Sequence, residues 1–169
     1  MTPAELVSIT ADYYATMAYL ANVTLARGKF AWQLLWTGGK ADSVGGTAPG
    51  PIVHNATCAS DLRALCNATS PAQTRVMMYG LAGSPEQPAQ FEFDLANFLL
   101  ARGPYAYLGH GWKGCSHSYT FPELLNADFG EPAGLCAETA PGSEVFTRAW
   151  SKADVRVDCK TLTPTITLH

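Results

Sequence analysis

Apolar side chains recur at spacings near three and four along the start of the chain, at Leu6, Ile9, Tyr13, Met17, Leu20 and Leu25. That period predicts an amphipathic helix with one face buried. Thr2-Pro3-Ala4-Glu5 reads as its start, a capping box with proline at the first helical position, and Arg27-Gly28 as its stop. Lys29 to Trp36, KFAWQLLW, is a near-continuous apolar run that fits a strand buried on both faces, and it ends at Thr37-Gly38-Gly39. The glycine- and proline-rich segment from Gly38 to Asn55 is too long for an ordinary connection and reads as a functional loop or lid. Cys58 to Cys66 reads as a short helix, and Thr74 to Leu81 as a second buried strand ending near Gly80. Ala89 to Arg102 is a further helix stopped by Gly103-Pro104, and Tyr105 to Gly109 a third strand.

Helix, strand, helix, strand, helix, strand with long crossovers is the pattern of parallel βαβ units. After Gly109 it stops. Residues from His110 to Gly142 read as irregular, whereas Glu144 to Trp150 and Asp154 to Asp158 alternate like two strands joined by a Ser151-Lys152-Ala153 turn, and Thr163 to Leu168 is a candidate third. Arg148 and Arg156 fall on these closing strands, where the expected partners are Asp154, Asp158 or helix carboxyl ends.

Composition narrows the class. The 169 residues suit one domain, and 47% hydrophobic against 15% charged describes a lightly charged globule. A net charge of −3 gives no footprint for nucleic acid. No apolar run has the length of a membrane span, and MTPAELVSIT lacks the basic and apolar regions of a secretion signal.

The cysteines point to an oxidising compartment. Cys58, Cys66, Cys115, Cys136 and Cys159 include no CxxC pair, which favours disulfides over a zinc cage. The expected pairs are Cys115 with Cys136 and Cys58 with Cys66, leaving Cys159 free or joined to another chain. Sequons at Asn22, Asn55 and Asn67 agree with a secretory route, Asn22 being disfavoured by its place in a helix. An extracellular or secretory protein without a signal in this chain leads to the expectation that these residues are the back half of a longer product.

The stretch GPYAYLGHGWKGC, from Gly103 to Cys115, runs a strand into a glycine-rich end, and strand carboxyl ends are where parallel α/β sheets present their ligand sites. The order of that strand, the turn Phe129-Gly130-Glu131-Pro132-Ala133-Gly134, a strand holding Val145-Phe146-Thr147-Arg148 and a closing hairpin resembles the carboxyl-terminal part of glycoside hydrolases with a (β/α)8 barrel. In those families the phrase Gly-x-Pro-x-Gly, then a strand with Arg, follows the eighth barrel strand. The resemblance runs from Phe30 to Asp158. It implies an α/β fold: a partial (β/α)8 barrel of the last three βα units over residues 1–112, then an irregular loop and a C-terminal β-hairpin over 113–169. Phe30–Trp36, Arg75–Leu81 and Tyr105–Gly109 become the sixth, seventh and eighth strands, with the N-terminal barrel half missing from this chain. The implied partner is a carbohydrate, and glycosidic hydrolysis requires no cofactor.

Retaining enzymes of this kind place an acid/base after the fourth strand and a nucleophile near the end of the seventh, about 5 Å apart. The fourth strand is missing here, and after Tyr79-Gly80 no carboxylate occurs until Glu86, so the catalytic pair does not carry over. Asp42 and Glu86 remain as carboxylates on predicted strand-end loops, with Asp128 and Glu131 further along. Trp36, Tyr79, His110 and Trp112, with Tyr107, fall at or near the predicted rim, where rings can stack on sugar faces and His110 can donate to a hydroxyl. Equally, aromatic residues at strand ends are ordinary core, and strand-end carboxylates are ordinary solvated charges. A Gly-x-Ser-x-Gly nucleophile elbow, a phosphate loop and a metal-ligand spacing are all absent from the sequence. The reading is therefore a glycoside-hydrolase-like protein, with a non-catalytic carbohydrate-binding or structural barrel remnant as the alternative.

Overall fold

The computed structural model describes residues 1–29, 32–34, 53, 55–74, 76–80, 88–109 and 122–169. Helix α1, Pro3–Ala26, opens on the capping box read from the sequence: Glu5 N–H donates to Thr2 Oγ1 at 3.2 Å while Thr2 N–H donates to Glu5 Oε2 at 2.6 Å. Gly28, at φ +65°, follows its last turn. The expected buried face is not buried. Leu6, Ile9, Tyr13 and Leu20 are exposed, and Ala21 is the one buried residue of the helix. Its apolar stripe meets no matching surface among the described residues.

Three parallel strands follow in chain order, β1 (Trp32–Leu34), β2 (Val76–Gly80) and β3 (Ala106–Gly109), with β2 in the middle. Between them come α2 (Cys58–Leu65), the single turn α3 (Pro71–Thr74) and α4 (Pro88–Ala101). From Phe91 to Ala101 only Glu92 is exposed, so α4 is apolar nearly all round, as a helix covered on several sides must be. Asp94 and Asn97 are buried within it, and Asn97 Nδ2 donates to the Phe93 carbonyl at 2.9 Å. The chain leaving α4 passes close against α3. A Cβ on Gly103 would lie 2.9 Å from Gln73 Cα and closer still to the Ala72 carbonyl, while Gln73 Nε2 donates to the Ala101 carbonyl at 2.8 Å.

The expected closing hairpin is instead a four-stranded antiparallel sheet, ordered β4 (Ala137–Glu138), β5 (Val145–Trp150), β6 (Ala153–Asp158) and β7 (Thr163–Leu168). The β5–β6 pair extends beyond the sequence reading because Trp150 pairs with Ala153, leaving a two-residue Ser151-Lys152 turn. Period-two alternation puts Phe146, Arg148 and Trp150 on one face with Ala153, Val155 and Val157, all buried, and this face packs on α4.

Arg148 is the polar residue of that face. Its Nη1 donates to the carbonyls of Leu99 (3.2 Å), Leu100 (3.0 Å) and Arg102 (2.6 Å), the open end of α4, and its Nε donates to the Gly134 carbonyl at 2.8 Å. No carboxylate among the described residues pairs with it. Its charge is met by the negative end of the helix and by the Trp150 ring, 5.1 Å from the guanidinium carbon. Burial, with the neighbouring Arg102 charge, pushes its pKa down to about 10, which still leaves it charged at neutral pH. Of the two partner types expected for the closing-strand arginines, Arg148 takes the helix end, and Arg156 takes Asp158 at 3.4 Å.

Replacing Arg148 with methionine keeps the apolar stem but leaves four carbonyls to find other donors. It is expected to lower unfolding free energy by about 3 kcal/mol, with Arg148→Lys in between because an ammonium cannot span both groups of acceptors. Denaturant titration of the three proteins checks the order.

Candidate functional site

The carboxyl edge of the parallel sheet is where the sequence places a ligand site. There Gly80 and Gly109, the last residues of β2 and β3, stand opposite each other in register, one step beyond the Tyr79–Leu108 pair. Neither residue carries a Cβ, the residue type a close backbone approach requires. Tyr79 is therefore next to the end of β2, as expected. Trp36, Asp42, Glu86, His110, Trp112 and Cys115 lie outside the described residues. Tyr107, on β3, is 59% exposed. Asp128 and Glu131 do not belong to this edge: Asp128 pairs with Lys152 and accepts the Gly130 N–H at 2.9 Å, and Glu131 exchanges hydrogen bonds with Ser151 across the β5–β6 turn. Both hold the turn.

The Gly-x-Pro-x-Gly phrase has a physical account. Gly130 has φ +74°, and a Cβ there would collide with Ser151 Oγ. Pro132 bridges to Trp150, Ala133 N–H donates to the Ala149 carbonyl at 2.9 Å, and Gly134 presents its carbonyl to Arg148. The phrase and the later arginine are two halves of one contact.

The cysteines correct the sequence reading. Cys58 bonds to Cys159 and Cys66 to Cys136, with Cα separations of 5.5 and 5.1 Å. Neither Cys58–Cys66 nor Cys115–Cys136 forms, and Cys159 is not free. The reason is geometric. Cys58 opens α2 and Cys66 caps it, so about 12 Å of helix rise separates them, beyond what a disulfide spans. Each end of α2 is thus stapled to the antiparallel sheet or its margin. Two disulfides fit an extracellular protein.

A charged fork lies on the same flank. Arg63 of α2 donates through Nε (3.0 Å) and Nη2 (2.7 Å) to the two oxygens of Glu138 on β4, and Glu138 Oε1 also accepts the Glu144 N–H at 2.7 Å. The Arg63 hydrogen bonds, then that of Glu144, hold the Glu138 carboxyl at about 2, below its usual 4.5. Nothing in the sequence joined Arg63 to Glu138, which lie far apart in the chain.

Asn55 and Asn67 are exposed at either end of α2, and Asn22 is exposed on α1. Among the described residues no group of three or more His, Cys, Asp or Glu is placed to hold a metal, and no helix is long and apolar enough to cross a membrane. No protein-family model and no curated protein sequence matches the chain.

Non-reducing peptide mapping is expected to recover Cys58 linked to Cys159 and Cys66 linked to Cys136. Removing the first bond by paired serine substitution is expected to cost about 3 to 5 kcal/mol, since it closes a loop with a sequence separation of 101 residues. Acid acts through Glu138. Because its folded pKa is depressed, its stabilisation is complete above its usual 4.5 and is lost as pH falls towards 2. Subtracting the unfolding curve of Glu138→Gln from that of the native chain is expected to show a difference that shrinks across that window. Asp128 and Asp158, also depressed, titrate in both proteins and cancel.

Proposed function

We propose that the chain is the carboxyl-terminal portion of a secreted glycoside-hydrolase-like protein with a (β/α)8 barrel, acting on the glycosidic bonds of oligosaccharides or polysaccharides and inactive alone. The observation that carries this reading is the parallel sheet whose strands lie in chain order, β1-β2-β3, with Gly80 beside Gly109 at its carboxyl edge. Strands added in sequence on the same side are how a barrel grows, and barrel sites lie at that edge.

Two further observations support it. Among the described residues β1 is an edge strand, and the helix that precedes it exposes Leu6, Ile9, Tyr13 and Leu20. A parallel strand beside β1 would meet its unpaired backbone and give α1 a sheet to cover, since parallel sheets are stable only with both faces packed. The sheet formed by β4 to β7 packs on α4, and its strands come after β3 in the chain, the order the resemblance gives to the strands that follow the eighth barrel strand.

In this reading Trp36, Tyr79, His110 and Trp112 serve the sugar, and Asp42 or Glu86 is a candidate catalytic carboxylate whose partner lies in the other barrel half. Titration of an oligosaccharide panel into the 169-residue chain is expected to find a ligand without turnover, and Trp112→Ala to weaken it by about 1 to 3 kcal/mol. In the complete protein, Asp42→Asn or Glu86→Gln is expected to abolish turnover while sparing binding. A complete protein without turnover whose saccharide binding is unchanged in both carboxylate variants would support the carbohydrate-binding alternative, and a lack of any saccharide binding would overturn both.

A further inference from the structure

The three sequons differ in one respect that the sequence does not show: what holds the threonine hydroxyl. In Asn67-Ala68-Thr69, Thr69 Oγ1 donates to Asn67 Oδ1 at 2.9 Å and Thr69 N–H donates to the same oxygen at 3.0 Å. Both contacts fall on the carbonyl oxygen of the acceptor amide. The exposed Nδ2 makes no hydrogen bond among the described residues. In Asn55-Ala56-Thr57 the hydroxyl instead donates to Asp61 Oδ2 at 2.7 Å. In Asn22-Val23-Thr24 it donates to the Leu20 carbonyl at 2.7 Å, and the whole sequon is inside α1.

We propose that Asn67 is the principal N-glycosylation site of this protein, with Asn55 modified less and Asn22 not at all. The inference rests on the secretory route that the disulfides fit, and not on the hydrolase reading. In the transfer, Asn67 Nδ2 forms a bond to the anomeric carbon of an oligosaccharide carried on a lipid pyrophosphate. The bond from that carbon to the pyrophosphate oxygen breaks, the lipid pyrophosphate leaves with the electron pair, and Nδ2 gives up one proton. A sequon has to offer its amide nitrogen and its hydroxyl together, so a hydroxyl committed to a neighbouring carboxylate or helix carbonyl is a competitor.

These contacts span two to four residues, so they form locally and act on the nascent chain before the fold is complete. Disulfide closure does not separate Asn67 from Asn55: Cys66 bonds to Cys136, 70 residues on, and Cys58 to Cys159, 101 residues on, so both sequons emerge before the bond beside them can close and the local contacts decide between them. α1, with a complete capping box, is the described segment best equipped to form early, and it takes Asn22 with it.

The full chain, carried by a cleavable secretion signal, would be expressed in eukaryotic cells. The pooled cellular and secreted protein would then be treated with peptide N-glycosidase in heavy-oxygen water, and labelled aspartate quantified at the three positions. Occupancy in the order Asn67, Asn55, Asn22 is expected, with the last near zero. Thr69→Ala should remove the label at Asn67 alone and Thr69→Ser should retain it. Asp61→Ala, which frees the Thr57 hydroxyl, should raise occupancy at Asn55. Label at Asn22, or occupancy at Asn67 no higher than at Asn55, would overturn the proposal. So would a chain that carries the Cys66–Cys136 disulfide but no label at all. None of these readouts depends on glycosidase activity.

Discussion

One guanidinium joins the antiparallel sheet to the end of α4. Arg148 reaches from β5 to the last carbonyls of α4 and, by its other nitrogen, to Gly134 in the loop that precedes β4. An arginine suits that position because its planar fork addresses two groups of acceptors at once, and because a cation at a helix carboxyl end gains from the helix dipole. Burial works against it by depressing its pKa. The site tolerates that cost because the buried carbonyls of Leu99 and Leu100 at the end of α4 would otherwise lack this donor. Trp150 sits between this cation and Arg102, 5.2 Å from the latter's guanidinium carbon. The antiparallel sheet is thus keyed to α4 in one register, since a slip of one residue would turn Arg148 to solvent and an apolar face with it.

That keying links the closing sheet to the parallel sheet through α4 and β3. α4 leads into β3 by way of Gly103, where the chain passes against α3 too closely for any side chain. The orientation of β3, and so of Gly109 beside Gly80, follows from a path fixed at Gly103 on one side and at the Arg148 contact on the other. The proposed ligand edge consequently depends on a contact made at the opposite end of the β3 strand. Rigid elements holding a glycine-rich rim are what a preorganised site requires.

Much of this was legible in sequence where the signal is local. The capping box of α1, the three parallel strands and the turn between β5 and β6 rest on short-range pattern, the partner types of Arg148 and Arg156 on the general preference of a cation for carboxylates and helix ends, and each has its counterpart in the structure. What was misread needed distance. Reading Cys58 to Cys66 as a helix should itself have excluded a bond between them, because a helix of that length holds its ends apart. The fork from Arg63 to Glu138 had no sequence signal, as it joins a helix to a strand far along the chain that the Cys66–Cys136 bond and the packing of Leu62 into the core bring alongside. The stripe on α1 was read as a buried face and is exposed, since a periodic pattern says that a face seeks cover and not where the cover comes from. For the candidate site, Tyr79 is located on β2, whereas Trp36, Asp42, Glu86, His110 and Trp112 lie outside the described residues.

The distribution of polar and apolar surface gives the chain two unlike sides. α2 is fixed at both ends by disulfides, held in the middle by an ion pair, and flanked by exposed sequons at Asn55 and Asn67. Cross-links that restrict the unfolded chain stabilise this flank without help from further packing, so it can remain a water-facing exterior and accommodate bulky glycans. α1 has no such devices. It bears Leu6, Val7, Ile9, Tyr13, Tyr14, Tyr19 and Leu20 in the open, and it precedes β1, an edge strand among the described residues. Contiguous apolar exposure of this kind marks a face suited to contact, whereas the flank around α2 is held by its cross-links and ion pair and has no such need.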